Sequence, residues 1–242
     1  MSKPSCGSST RSDDNVVRHL PAPVRPLRGG NHWRWHPQER WLRIYHQDDL
    51  TPSADTRRMF GPLLRFDHHT PPFEAPAPCP AGRTVVYAAR TLRSCGGEVF
   101  GDASEATICP HFRAAVIRPA RPVVVQDVQA NGSMLIGALP ALGTSDVPRV
   151  ETQAWARAVY EDRPASPLVA GIRYTSAHDE GAVVALWETS PRLVVVQDVP
   201  ICDPAVFLRF SMAMREIEIE VSVVPADACV RCREAAGRGH VG

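Results

Sequence analysis

The sequence predicts an α+β domain, a mixed or largely antiparallel central sheet with helices packed on it. Three observations lead there. Runs rich in β-branched residues recur at 84–88 (TVVYA), 122–128, 169–175, 183–187 and 193–199, each of strand length. Between and after them stand segments of helical character at 151–160 and 203–214. Near the end, Ile217, Ile219, Val221 and Val223 alternate with Glu216, Glu218, Glu220 and Ser222, the pattern of a strand with one buried and one wet face. A chain of 242 residues, 44% of them hydrophobic, can bury one sizeable core.

Taken in order, residues 1–32 are rich in Ser, Pro, Arg and Gly without periodicity and read as a flexible arm, residues 33–225 as the domain, and 226–242 as a tail. His32 and His36 flank Trp33 and Trp35 ahead of Pro37, which reads as a surface loop without further metal ligands at useful spacing. Five prolines between 70 and 82 (TPPFEAPAPCPAG) require a loop or extended connection. Residues 91–100 form a short helix in which Gly96 and Gly97 each cost on the order of 1 kcal/mol against alanine, unless close packing or a ligand needs them. In 151–160, Ala154, Trp155, Ala158 and Val159 define one apolar face. Asp203 and Pro204 read as an N-cap and first-turn proline. The hexapeptide VVVQDV occurs at both 123–128 and 194–199; it is too short for a repeat unit and reads as two similar buried strands.

Composition narrows the function. The 27 basic and 26 acidic residues leave a formal net charge of +1, without the broad positive field of a duplex binder, so direct nucleic-acid contact is not expected. Lys3 is the only lysine, which excludes Schiff-base and P-loop lysine chemistry from the core. The other cations are arginines, whose planar fork grips phosphate bidentately. GxxxxGK, GxSxG and HExxH are absent, and no glycine-rich fingerprint stands between a predicted strand and helix. No stretch approaches the ~18 apolar residues of a membrane helix, so the chain reads as soluble and cytoplasmic. Seven cysteines, an odd number, argue against a disulfide framework. Cys229 and Cys232 form the only CxxC, without a second pair at zinc-finger spacing, and no metal site is expected.

What remains for chemistry is a set of polar residues beside apolar strands: Arg43 in WLRIY, Arg65 in LLRF, Tyr87 ending VVY, Glu98 in GGEVF and Ser176 after GIRYT. An arginine among leucines and aromatics is costly to bury unless an anion or carboxylate pairs with it. Each residue alone is equally readable as structural: an ion pair, a core tyrosine or a capping hydroxyl.

Their order, however, resembles the RES domain, the toxin component of bacterial RES–Xre toxin–antitoxin modules. The segments LLRF, VVYAARTLRSCGGEVFGD and PLVAGIRYTSAHDEGAVVALWE carry the resemblance, which spans about residues 41–200. Its most specific elements are Tyr87 followed eleven positions later by Glu98, and the GIRYTS strand end preceded by the helix carrying TQAWA. The resemblance places the family's two arginines on Arg43 and Arg65 and its serine on Ser176. Phe66 and Asp67 stand where many members have Trp and Asn, and the loop at 70–82 lengthens the step to Tyr87.

The resemblance implies an ADP-ribosyltransferase-like fold that takes NAD as substrate rather than cofactor. It implies cleavage of the nicotinamide–ribose bond by water or phosphate, with ADP-ribosyl transfer to a protein as one alternative and a non-catalytic NAD-binding or partner-docking module as another. It further implies a cognate Xre-type antitoxin as partner. Glu98, Arg65 and Tyr87 would then be catalytic, and Arg43, Arg65, Tyr87 and Ser176 would bind the dinucleotide. The residue types suit that reaction. The leaving pyridinium needs no general acid, and the barrier lies in an oxocarbenium-like ribosyl cation. A carboxylate can stabilise that cation, arginines can hold the pyrophosphate, and no metal is required.

Overall fold

The structure, a computed structural model, describes residues 19–143 and 147–238. The chain begins with β1 (His32–Trp35), β2 (Trp41–His46), the two-residue strands β3 (Phe60–Gly61) and β4 (Ala77–Pro78), then β5 (Val85–Ala89) and α1 (Leu92–Phe100). It continues through β6 (Glu105–Ile108), β7 (Phe112–Pro119), β8 (Val123–Asp127), α2 (Gly132–Leu135) and α3 (Arg149–Asp162). The last third holds β9 (Val169–Thr175), β10 (Ala182–Trp187), β11 (Leu193–Pro200), α4 (Pro204–Arg215), β12 (Glu220–Val223) and α5 (Val230–Arg238).

Eight strands form one sheet in the order β1-β8-β9-β10-β5-β2-β7-β11. Only β8 and β9 pair in parallel; the other neighbours are antiparallel. This is the mixed α+β arrangement that the sequence predicts. The sheet curls. β1 and β2 stand five places apart in the order, which in a flat sheet is about 24 Å at ~4.8 Å per strand. Yet Trp33 and Trp35 of β1 lie with ring centroids 5.4 and 5.2 Å from Trp41 of β2. One face therefore closes on itself around Trp35, Trp41, Val125, Ala115 and Leu186. The other face is covered by α1, α3 and α4 through Phe100, Trp155, Val159 and Phe210, all buried.

The elements differ from the expectation where the sequence signal is local and the burial is not. Residues 32–35 are not a loop. They form the outer strand β1, because Trp35 is fully buried and its neighbours pair with β8. The two VVVQDV copies take different environments: β8 is interior, whereas β11 is an edge strand in which Val195 and Val196 are exposed and a register shift interrupts the ladder. Identical letters cannot report which copy has neighbours on both sides. The alternation at 217–223 gives a strand only over Glu220–Val223. Residues 217–219 turn back on the end of α4, Glu218 adopts φ +61°, and β12 pairs in parallel with β6.

Residues 19–31, within the expected arm, are docked along α3. Leu20 and Leu27 are buried, Glu151 accepts from the Leu20 amide (2.6 Å), Asp162 accepts from the Leu27 amide (2.8 Å), and Trp155 donates to the Pro21 carbonyl (3.1 Å). The remainder of that arm, residues 1–18, lies outside the described residues. The expected tail carries α5 and a buried Cys229. The glycine pair of α1 is explained by close packing. A Cβ on Gly97 would lie 2.9 Å from the His178 Cβ, and one on Gly96 would run into the buried Met214 thioether.

Candidate active site

β2 and β5 are neighbours in the sheet, but only Leu42 and Ala89 pair between them. Away from that pair the strands part, and the backbone of Arg58 bonds to Val85 instead (2.8 and 3.0 Å). The resulting wedge is a cavity of about 870 Å³, lined among others by Arg43, Arg58, Leu63, Tyr87, Glu98 and Arg231. That is within the usual size for small-molecule sites. A hollow of about 150 Å³ adjoins it, lined by Arg65, Gly97, Arg149 and His178. Leu64, Glu98, Val99 and Asp102 line both spaces, so Glu98 stands at their junction.

Local chemistry fixes α1 there. Thr91 caps the helix by accepting from the Ser94 amide (3.0 Å). Ser94 and Arg93 donate to Asp179 in the turn between β9 and β10 (2.7 and 3.0 Å). At the next residue, the Ile44 amide of β2 donates to the Cys95 Sγ (3.1 Å). Glu98 lies three residues on from Cys95, along the same side of the helix. Its Oε2 accepts from the Tyr174 hydroxyl (2.6 Å), while its Oε1 is buried without a hydrogen-bond partner. Burial, with Glu98 alongside, raises the Tyr174 phenol well above its ordinary value and keeps it a donor.

Tyr87 is held by a second carboxylate. Its hydroxyl donates to Asp67 (2.7 Å), which also accepts both Arg58 Nη2 contacts (2.8 and 2.7 Å) and the amides of Leu63 (2.6 Å) and Leu64 (3.0 Å). Asp67 is fully buried. Burial pushes its carboxyl up, but the Arg58 guanidinium and the Leu63 amide prevail and leave it below its ordinary value. The Asp67 departure from the family pattern is thus one half of a buried ion pair that a neutral amide could not form.

Arg65 lies against a pair of packed rings, with its guanidinium carbon 5.6 Å from the Tyr174 centroid and 5.5 Å from that of Phe66, and donates to the Leu142 carbonyl (3.3 Å). Arg43 donates through Nη1 to the carbonyls of Ala54 (3.1 Å) and Thr56 (2.8 Å). Burial lowers its guanidinium to about 10, which leaves it charged at neutral pH. Ser176 is buried in the turn entering β10, where its amide donates to Gly181 (2.7 Å) and its Oγ accepts from the His178 amide (3.3 Å). It lines neither space, and its turn instead presents Ala177 and His178 to the smaller one.

The joined cavity therefore gathers Glu98, Tyr87, Arg65 and Arg43, with Ser176 shaping the rim from behind. Sequence reasoning missed Arg58, Asp67 and Tyr174. Asp67 was visible only as a departure, and Tyr174 stood inside the quoted GIRYTS segment. Arg58 in TRRMF carries no pattern at all.

Behind the site, His68 and His69 are buried beside Glu188 and Asp67. Burial lowers both histidines, His69 to about 4. Glu188 is pushed up by burial, but hydrogen bonds from His68, Tyr160 and the Thr84 amide overcome this and bring it to about 2. The signs agree. The neutral histidines contribute stability that is fully present above about pH 6.5 and lost toward about pH 4, and Asp67 and Glu188 lose theirs as pH falls further. Urea midpoints are expected to fall steadily from pH 7 to pH 4, with His69 accounting for on the order of 1–3 kcal/mol; His69→Gln should flatten the upper part of that slope.

A family model for the RES domain matches residues 32–208, nearly three quarters of the chain, and the chain belongs to the RES domain family. Membership is consistent with a place in a toxin–antitoxin module and with an enzyme that uses NAD in general. No curated protein and no solved structure gives a significant match. Among the described residues no helix is long and apolar enough to cross a membrane.

Proposed function

We propose that the chain cleaves NAD at the nicotinamide–ribose bond, with the ribose at Glu98 and the dinucleotide lying across the two joined spaces. The observation that carries this reading is the Glu98 carboxylate: one oxygen is anchored by Tyr174, and the other is buried, unpartnered and set at the junction of a cleft and a hollow that both bear arginines. A fixed, buried carboxylate oxygen stabilises a developing ribosyl cation without reorganising. As the C–N bond breaks, its electron pair leaves with nicotinamide and neutralises the pyridinium. Water or phosphate then bonds to the ribosyl carbon, with water releasing a proton to solvent. Arg65 and Arg43 hold the pyrophosphate, and Tyr87, fixed by Asp67, presents its ring to the nicotinamide ribose. The reading requires no metal or second cofactor, and a cognate Xre-type antitoxin would act by covering the cleft.

The acceptor is read from products. Purified protein incubated with NAD should give ADP-ribose in buffer alone, and a phosphorylated ADP-ribose when phosphate is added if phosphate is the acceptor. ADP-ribose attached to protein in a treated cell extract, with no free product, would instead assign transfer to a protein. NAD bound but unconsumed in every condition would leave a binding module and end the cleavage reading.

A further inference from the structure

The CxxC pair near the end of the chain does not stand alone in space. Cys229 and Cys232 meet His46, the last residue of β2, and Cys109, which follows β6. One ligand atom from each of the four lies within 4.8 Å of every other. The His46 Nε2 is 3.2 Å from Cys109 Sγ, 3.4 Å from Cys232 Sγ and 3.8 Å from Cys229 Sγ, and the sulfurs of Cys109 and Cys232 are 3.6 Å apart. A tetrahedral zinc ion with Zn–S ≈ 2.3 Å and Zn–N ≈ 2.0–2.1 Å has donor-to-donor edges of about 3.5–3.8 Å. The observed separations bracket that size. We propose that His46, Cys109, Cys229 and Cys232 form a structural zinc site of the Cys₃His type that clamps the carboxy-terminal helix to the sheet.

Three further features fit. Three of the ligands are buried and the fourth is half-buried, so the set is closed, as a structural rather than a catalytic ion requires. Backbone amides already face the sulfurs: those of Arg231 and Cys232 at Cys229, and that of His111 at Cys109. Such amides stabilise thiolates and orient them toward a metal. Finally, α5 needs a fastening. It has nine residues, none of those with described side chains is buried, and a helix so short is not stable alone. Yet Arg231 and Glu234 of this helix help line the large cleft. A metal joining the residues around α5 to β2 and to the turn after β6 accounts for its position and completes one cleft wall. The Asp48 amide lies 3.3 Å from His46 Nδ1. Metal on Nε2 moves the ring proton to Nδ1, so this is the contact that the loaded site gives up.

The full chain, purified under reducing conditions without chelator or a metal-affinity step, should contain about one zinc ion by elemental analysis. Cys232→Ser and Cys109→Ser should fall below about a tenth of that, while Cys202→Ser keeps it. To separate metal loss from unfolding of a ligand variant, the wild type is also stripped and refilled with cobalt(II), where thiolate-to-cobalt charge transfer and the intense visible bands of a tetrahedral ion are expected. Protease should cut within residues 226–238 only after zinc is removed. Folded wild type with no stoichiometric metal and no cobalt–thiolate bands would overturn the proposal. So would zinc retained by Cys232→Ser, or a Cys109–Cys232 disulfide in peptides from unreduced protein.

Discussion

Replacing Glu98 with Gln is expected to lower NAD turnover by about 10²–10³, with the fold and NAD binding retained. The substitution keeps the shape of the side chain and the acceptor for Tyr174, and removes only the charge at the junction of the two spaces. The loss should therefore fall on kcat rather than KM, as it does when an interaction made only in the transition state is deleted. Tyr174→Phe provides the companion measurement. It leaves the carboxylate charged but frees the oxygen that the phenol holds at 2.6 Å. A smaller loss in kcat is expected, because Tyr174 holds Glu98 in place and lines neither space itself. Equal nicotinamide release by wild type and Glu98→Gln would remove Glu98 from the chemistry.

The second large effect is on stability. Asp67→Ala strands the buried Arg58 guanidinium and the Tyr87 hydroxyl without their shared partner. Breaking a buried pair from one side typically costs about 3–5 kcal/mol. For a domain of this size that is a fall in Tm of about 6–20 °C at ~2–4 °C per kcal/mol. Asp67→Asn keeps an acceptor for the amides of Leu63 and Leu64 and should cost less. The double variant Arg58→Met with Asp67→Leu should recover part of the loss, because a buried pair replaced by apolar groups of similar size is often neutral. A double variant no more stable than Asp67→Ala would mean that the carboxylate acts through Tyr87 and the loop amides rather than through Arg58. Urea unfolding of the three variants measures the difference.

The legible part of this molecule lies where local chemistry decides the outcome. The apolar run at 169–175 becomes β9, and Asp203 caps α4 by accepting from the amides of Ala205 (3.1 Å) and Val206 (3.4 Å). The order of Arg65, Tyr87 and Glu98 was likewise readable, because these residues interrupt apolar segments in the family's order and Glu98 follows Tyr87 by eleven positions. Features set by distant neighbours were not. VVVQDV is interior in β8 and exposed in β11, and nothing in six letters encodes the choice. The run from Ile217 alternates like a strand, yet its first residues turn back on α4. Arg58 and Asp67 are nine residues apart with no periodic relation, and they meet only because the connection after β2 folds back along β5. The same holds for Cys229 and Cys232, whose neighbours His46 and Cys109 come from far earlier in the chain.

The cleft itself follows from one irregularity of the sheet. Had β2 and β5 paired along their length, there would be no wedge for Arg58 and no opening beside Glu98. Because they pair at a single position, an arginine-bearing space forms against the carboxylate. The most direct test of this account is nicotinamide release by the purified full-length chain, followed with the disappearance of NAD in the same samples. One nicotinamide should form per NAD lost, at a rate lowered about 10²–10³-fold by Glu98→Gln. NAD left intact by well-folded wild-type protein, or consumed without release of nicotinamide, would contradict it.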